Sequence, residues 1–480
     1  MRHSAAVHEI GAASLKRLKP SPKRATEGLD SLSDESRIVA CAAFRRLQNK
    51  AQVFSLARTG EVRTRLTHSL EVSNYGKLIA ESVSVELLKR GHLSESQRLS
   101  FVQTAANACL LHDIGNPPFG HMGEYAIGQW FKDHKQVLVD HWVKQKELTA
   151  GAAERLHAAF EWFDGNPQGL RIITRLQWLG DEYGLNLSCP LLGAYLKYLG
   201  AAVDKGSRLR KKLGFFPSER AFVERVWEQL GLLRGEDGLP AQRHPLAYIM
   251  EAADDIAFCL SDIEDAIEKR VVSERRFLDE IEPHVKAEVA TAKEKGSRFE
   301  GLALGGTFHL FRLAVSTRLV AAATAAYLAN EEAILDGTMT ESLLATDAWS
   351  KETLKALKTF ASANIYTARE TIEIELSGLR AIKGILDAFL PLLLLSRAEF
   401  ERLASTDDAE RFRDQPVAVL LYTLLPAKHL QAYRWQTKNG EPLEPVHRTQ
   451  LVVDYISGMT DSHALKIFSM INGHLRSDIE

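Results

Sequence analysis

In nearly every segment of this 480-residue chain the apolar residues recur at steps of three and four, not at steps of two. That period belongs to helices that bury one stripe, and it leaves little room for a sheet. The stretch "THSLEVSNYGKLIAESVSVELLKRG" reads as a helix with Thr67 as its N-cap. Leu70, Leu78, Ile79, Val83 and Leu87 form its apolar stripe, and Lys89, Arg90 and Gly91 supply the stop. The next helix begins near Ser96 and carries Leu99, Val102, Ala106, Cys109 and Leu110 on one side. Gly115 and Pro117 end it just after His112 and Asp113. A third starts at Pro245, a favoured first-turn residue, and repeats Ile249, Ala253, Ile256, Leu260, Ile263 and Ile267. The same period predicts helices at roughly 307–330, 351–376 and 380–404. Turn-forming residues predict loops at about 163–169, 231–245 and 435–447. The expected fold class is all-α.

No period of twenty to fifty residues repeats, which excludes a solenoid. Length alone would suggest about three domains, but no long flexible linker interrupts the pattern. The expectation is therefore one helical body over residues 31–480, preceded by a flexible N-terminal segment, residues 1–30. Hydrophobic residues are 45% and charged residues 25%, enough to bury a large core. A formal net charge of −2 points to no polyanion or membrane as a global partner. Cys41, Cys109, Cys189 and Cys259 lie far apart without a CxxC, as in a reducing compartment. The first thirty residues lack an apolar h-region, and "AFLPLLLLS" at 388–396 is too short to span a bilayer. The expected location is cytoplasmic.

The chemistry concentrates in "CLLHDIGNPPFGHMGE", residues 109–124. An antiparallel hairpin of the first two helices would bring His68, in the first turn of one, to His112 and Asp113 at the end of the other. With Asp254 added, the set of two imidazoles and two carboxylates suits a divalent transition ion or Mg²⁺. A His beside an Asp is common by chance, and a His at a helix C-terminus also interacts well with the macrodipole. Asp113 does not, because an anion is misplaced there and calls for a nearby cation. His121 and Glu124, at i and i+3, share a helix face, either as a surface ion pair or as an imidazole oriented by a carboxylate for proton transfer. Asp254, Phe258 and Asp262 form a second stripe at steps of four. Basic residues come in three bursts, "RTR" at 63–65, Lys197 and "RLRKK" at 208–212, which are solvated faces unless the ligand carries several phosphates. No P-loop or dinucleotide glycine fingerprint is present, so side chains and metal would have to hold any phosphate.

These segments resemble the HD-domain superfamily of metal-dependent phosphohydrolases, in its deoxyguanosine-triphosphate triphosphohydrolase (dGTPase) branch. The matching stretches are "FRRLQNKAQVF", "VRTRLTHSLEV", "HDIGNPPFGHMGE", "MEAADDIAFCLSDIEDA" and "DYISGMTD", spread over residues 44–461. The resemblance implies an all-α HD-domain phosphohydrolase fold with additional C-terminal helices and an HD core over about residues 60–270. It implies His68, His112, Asp113 and Asp254 as ligands of one Mn²⁺ or Mg²⁺, and His121 with Glu124 as the catalytic pair. Gln52, Arg65, Lys197, Tyr198, Lys212 and Asp262 match positions that hold the nucleotide, and so does Asn166. Phe258 stands where the family usually has Tyr, a lost hydroxyl worth about 0.5–1.5 kcal/mol if it made a hydrogen bond. The activity implied is hydrolysis of dGTP, and of other dNTPs, to deoxynucleoside and tripolyphosphate. The family forms homo-oligomers, commonly hexamers, and can bind single-stranded DNA. Alternatives are an HD phosphodiesterase, an alarmone or nucleoside monophosphate hydrolase, or a single-strand-binding protein with a regulatory nucleotide site.

Overall fold

The computed structural model describes residues 16–20, 29–54, 62–145, 148–177, 180–204, 207, 209–297, 306–405, 415–438 and 443–474. Most of the segment expected to be flexible, residues 1–30, lies outside the described residues. Among the described residues there is no strand, only isolated bridges such as Ala51 with Thr64, so the fold is all-α. None of their helices is long and apolar enough to cross a membrane. The helices that carry the argument are α1 (Arg65–Lys89), α2 (Glu95–Leu111), α3 (Gly120–Asp133), α4 (Gly165–Arg171), α5 (Cys189–Tyr195), α6 (Pro245–Glu268), α7 (Ala348–Asn364) and α8 (Arg369–Leu393). The chain gathers into two compact units. One comprises Met1–Ile114, Leu187–Leu199 and Phe222–Ile374, the other Gly115–Asn186, Gly200–Ala221 and Glu375–Glu480.

In the first unit, α1 begins a turn earlier than Thr67. Thr64 is the N-cap, and Thr67 answers it from the third helical position, each side chain bonding the other's backbone N–H. Arg63 fixes the entry to this cap. Its backbone N–H donates to Asp265, and its guanidinium pairs with Glu71, Glu264 and Asp265. This arginine of the "RTR" burst is thus structural. Helices α1 and α2 pack antiparallel, with the Ser73 hydroxyl on the Ala106 carbonyl, Arg98 on Glu81, and His68 against His112.

The buried row of α1 runs through His68, Val72, Tyr75, Ile79, Val83 and Leu87. Leu70 and Leu78, expected in that stripe, are about half exposed, as is Leu99 on α2. The reason is that α2 is buried on all sides from Ser100 to Leu111, so α1 needs only one face against it. Helix α6 keeps its expected stripe, with Ile249, Ala253, Ile256, Leu260, Ile263 and Ile267 at most 1% exposed. Burying each large aliphatic contributes about 1.5–3 kcal/mol. The three helices meet at Gly76, where a Cβ would sit 2.4 Å from Cys109 Sγ and 3.7 Å from Ala253. Farther along, the helices expected at 351–376 and 380–404 are instead α7, α8 and Arg397–Ser405.

In the second unit, "FDGNPQG" is not a loop. Asp164 caps α4 by accepting the Asn166 N–H at 2.9 Å, and Pro167 falls in the first turn, where its missing N–H costs nothing. The buried Arg171 at the end of α4 bonds Asp454 and Glu219, each at 2.8 Å. Pro391 lies near the end of α8, and Phe389, Leu392 and Leu393 beside it are buried.

Gly115, just after the His112–Asp113 pair, meets the backbone of α4. A Cβ there would lie 2.0 Å from the Gly165 carbonyl oxygen and 2.1 Å from the Gly169 nitrogen. Backbone atoms cannot rotate away, so Gly115→Ala should cost about 3 kcal/mol, the upper end for an overpacked interior. A thermal melt should show Tm falling by several degrees, and an unchanged Tm would rule this packing out.

Candidate functional site

Three candidate ligands from three helices converge in the first unit. One donor atom each from His68, His112 and Asp254 lies within 4.8 Å of the others. Helix α1 presents His68 from its first turn, α2 presents His112 as its C-cap, and α6 presents Asp254 two turns from its start. Nε2 of His68 and Nε2 of His112 are each 3.6 Å from Asp254 Oδ1. His112 donates its Nδ1–H to the Cys109 carbonyl at 2.7 Å, so in the neutral ring, the form that binds a metal, the lone pair is on Nε2. That Nε2 is buried and makes no hydrogen bond. An orphaned imidazole nitrogen facing a carboxylate oxygen is what a site for a divalent cation requires. With metal–ligand bonds of about 2.1 Å, donor atoms on one ion stand about 3–4 Å apart. The residues present therefore fit such an ion.

Asp113 stands at the edge of this group. Its Oδ1 is 3.5 Å from His112 Nε2, while its Oδ2 accepts from Arg65 at 2.6 Å. Arg65 is the cation that an anion at a helix C-terminus called for. Burial would raise the Asp113 pKa, but His112 and Arg65 outweigh it and bring it down to about 2. Asp254 is likewise held well below the usual carboxylate range, against the effect of burial, by His112, His68 and Lys197. For His68, burial works to lower the pKa, and Asp254 and Asp113 raise it above the ordinary value.

Farther along α6, Phe258 is half-buried and Asp262 is fully buried. Tyr366 donates to Asp262 Oδ2 at 2.6 Å, and Oδ1 is buried without a hydrogen bond. Burial pushes this carboxyl up to about 7. Gln52 also has a buried side-chain oxygen that makes no hydrogen bond. Lys197 follows α5, with its Nζ 3.7 Å from both Glu251 Oε1 and Asp254 Oδ2, and Tyr198 next to it is buried.

The second unit holds the remaining candidates. His121 Nδ1 donates to Glu124 Oε2 at 2.7 Å on the first turn of α3, the shared face expected from their spacing. Glu124 Oε1 accepts the Gly165 N–H at 2.7 Å, so one carboxylate orients the imidazole and is itself fixed at the start of α4. The His121 side chain is 79% exposed, accessible to a reacting molecule. Asp164 also gathers the Asn166 amide at 2.5 Å and the Lys212 ammonium at 2.7 Å.

Sequence reasoning missed three residues that organise these groups. Glu251 holds Lys197, Tyr366 holds Asp262, and Asp164 holds Asn166 and Lys212. Glu251 alone left a signal, since it precedes Asp254 by one helical turn. The basic residues thus face carboxylates: Arg65 faces Asp113, Lys197 faces Glu251 and Asp254, and Lys212 faces Asp164.

A family model described as "HD domain" matches residues 65–181. A curated relative from Enterobacter sp. (strain 638), named deoxyguanosinetriphosphate triphosphohydrolase, is 34% identical over 90% of this chain and 91% of its own length. One of the same name from Klebsiella pneumoniae (strain 342) is 35% identical, covering 92% of this chain and 94% of its own. A deoxyguanosinetriphosphate triphosphohydrolase-like protein from Listeria monocytogenes is 33% identical over 92% and 93%.

Proposed function

This chain belongs to the deoxyguanosinetriphosphate triphosphohydrolase family, and from that premise we propose that it hydrolyses dGTP to deoxyguanosine and inorganic tripolyphosphate. Other deoxynucleoside triphosphates are secondary substrates and ribonucleotides poor ones. The observation that carries the reading is the convergence of His68, His112 and Asp254 beside the ammonium of Lys197, in a chain of this family.

His68, His112, Asp113 and Asp254 would hold one divalent ion, Mn²⁺ or Mg²⁺. When bound, the ion supplies Lewis acidity to a phosphate oxygen and to water. Arg65, Lys197 and Lys212 neutralise the triphosphate, which opens its α-phosphorus to attack by water. His121 has its Nδ1 engaged by Glu124, so its Nε2 exchanges the proton with the attacking water or the leaving 5′-oxygen. Gln52, Asn166, Tyr198, Phe258 and Asp262 hold base and sugar. Water attacks the α-phosphorus, the bond from that phosphorus to the 5′-oxygen breaks, and the nucleoside keeps its oxygen. Assembly into homo-oligomers and contact with single-stranded DNA belong to the same reading and rest on the resemblance; a cytoplasmic location rests on the four scattered cysteines without a CxxC.

The test is product analysis. With dGTP and Mn²⁺ or Mg²⁺ in ¹⁸O-labelled water, ion-exchange chromatography and mass spectrometry should find the label in tripolyphosphate and none in deoxyguanosine. dGDP, dGMP or pyrophosphate as the first product would reject the mechanism.

A further inference from the structure

Lys197 sits between two carboxylates with different tasks. Its Nζ is 3.7 Å from Asp254 Oδ2 and 3.7 Å from Glu251 Oε1. Asp254 also points its other oxygen at both histidines, whereas Glu251 belongs to no candidate ligand group. Glu251 is 7% exposed and lies one turn before Asp254 on α6. Its second oxygen is taken by Arg243, which donates from Nη1 at 2.9 Å. Arg243 is 4% exposed, lies over the Tyr248 ring at 4.9 Å, and donates from Nε to the Lys197 carbonyl at 3.0 Å. One buried guanidinium therefore grips both the backbone of Lys197 and the carboxylate that faces its ammonium.

An ammonium beside a ligand carboxylate competes with a metal ion for it. Both are cations, and in a low-dielectric site they divide the charge of one carboxylate between its two oxygens. A second anion on the far side shares the ammonium and draws it away. We propose that Glu251, fixed by Arg243, is a positioning residue: it holds the Lys197 ammonium off Asp254, leaving that carboxylate to the metal and the lysine to the substrate phosphate. The inference rests on the metal site described above and assigns to Glu251 and Arg243 a role that neither has as a ligand.

The test reads metal binding directly, with Mn²⁺ as the probe and free Mn²⁺ followed by electron paramagnetic resonance. Glu251→Gln keeps the side-chain shape and removes the charge. It should raise the Mn²⁺ Kd by about 10–100-fold, the usual effect of altering groups that orient a ligand. Glu251→Asp, which keeps the charge, should lose much less. The decisive variant adds Lys197→Met to Glu251→Gln: without the ammonium, Mn²⁺ affinity should return to near the natural level. A purely structural role for Glu251 would give no such recovery. If Glu251→Gln does not fold, as judged by circular dichroism, the single Lys197→Met variant decides, and it should bind Mn²⁺ at least as tightly as the natural protein. Unchanged Kd in Glu251→Gln, a double variant as weak as the single one, or weaker binding in Lys197→Met would each overturn the proposal while leaving the metal site standing. A natural protein that binds no Mn²⁺ would overturn the metal site and this role together.

Discussion

Replacing Asp254 by alanine should give a folded, helical protein that carries little metal and turns over dGTP at least about 10³-fold more slowly. The fold should survive because α6 is anchored by its isoleucine and leucine stripe, not by Asp254, whose side chain is 30% exposed. The metal should not, because the Asp254 carboxylate lies 3.6 Å from both imidazole Nε2 atoms. Removing it also removes the anion that favours a cation between the two histidines. Lewis-acid assistance is worth several kcal/mol, and at about 1.4 kcal/mol per decade that is on the order of 10³ in rate. Elemental analysis of the purified variant, circular dichroism and product formation are the three readouts. Normal metal content together with normal turnover would remove Asp254 from the site.

How far the sequence shows this site can be followed residue by residue. His68 and His112 could be paired from helix ends alone, because a short connection makes neighbouring helices antiparallel and brings their far ends together. For Asp254 nothing local links α6 to that hairpin: its chemistry makes it a candidate oxygen donor, and the resemblance to a known family assigns it to the ligand set. Glu251, Tyr366 and Asp164 act through partners that only tertiary structure supplies: Arg243 reaches Lys197 over 46 positions, Tyr366 reaches Asp262 over 104, and Lys212 reaches Asp164 over 48.

The same division holds for the fold. The stripe of α6 is legible because that helix buries one repeating row. On α2 every residue from Ser100 to Leu111 is buried, so periodicity has no contrast from which to find a face. On α1 the row that wins contains a histidine, which a search for apolar residues passes over in favour of Leu70 and Leu78. "FDGNPQG" looks like a turn because its Asp, Gly and Pro favour both turns and helix starts. Burial of α4 against Gly115 and the Arg171 ion pairs decide for the helix.

Replacing His121 by alanine should separate proton transfer from metal binding. The side chain is 79% exposed and its bond to Glu124 lies within a single helix turn, so its loss creates no buried cavity; it takes one partner from the Glu124 carboxylate, whose side chain is 11% exposed. Glu124 keeps the Gly165 N–H, so the start of α4 should hold its place. Metal content and melting temperature are then expected to match the natural protein. Turnover is not: a positioned general acid or base contributes about 10²–10⁴ in rate, so kcat should fall by that factor. KM for dGTP should change little, because the groups assigned to hold base, sugar and phosphates remain. Because the site of the missing ring is open to solvent, added free imidazole should restore part of the lost rate, an effect that a merely structural histidine would not show. Loss of metal in His121→Ala would move His121 into the ligand set, and full activity would leave the His121–Glu124 pair as a surface ion pair with no part in the chemistry.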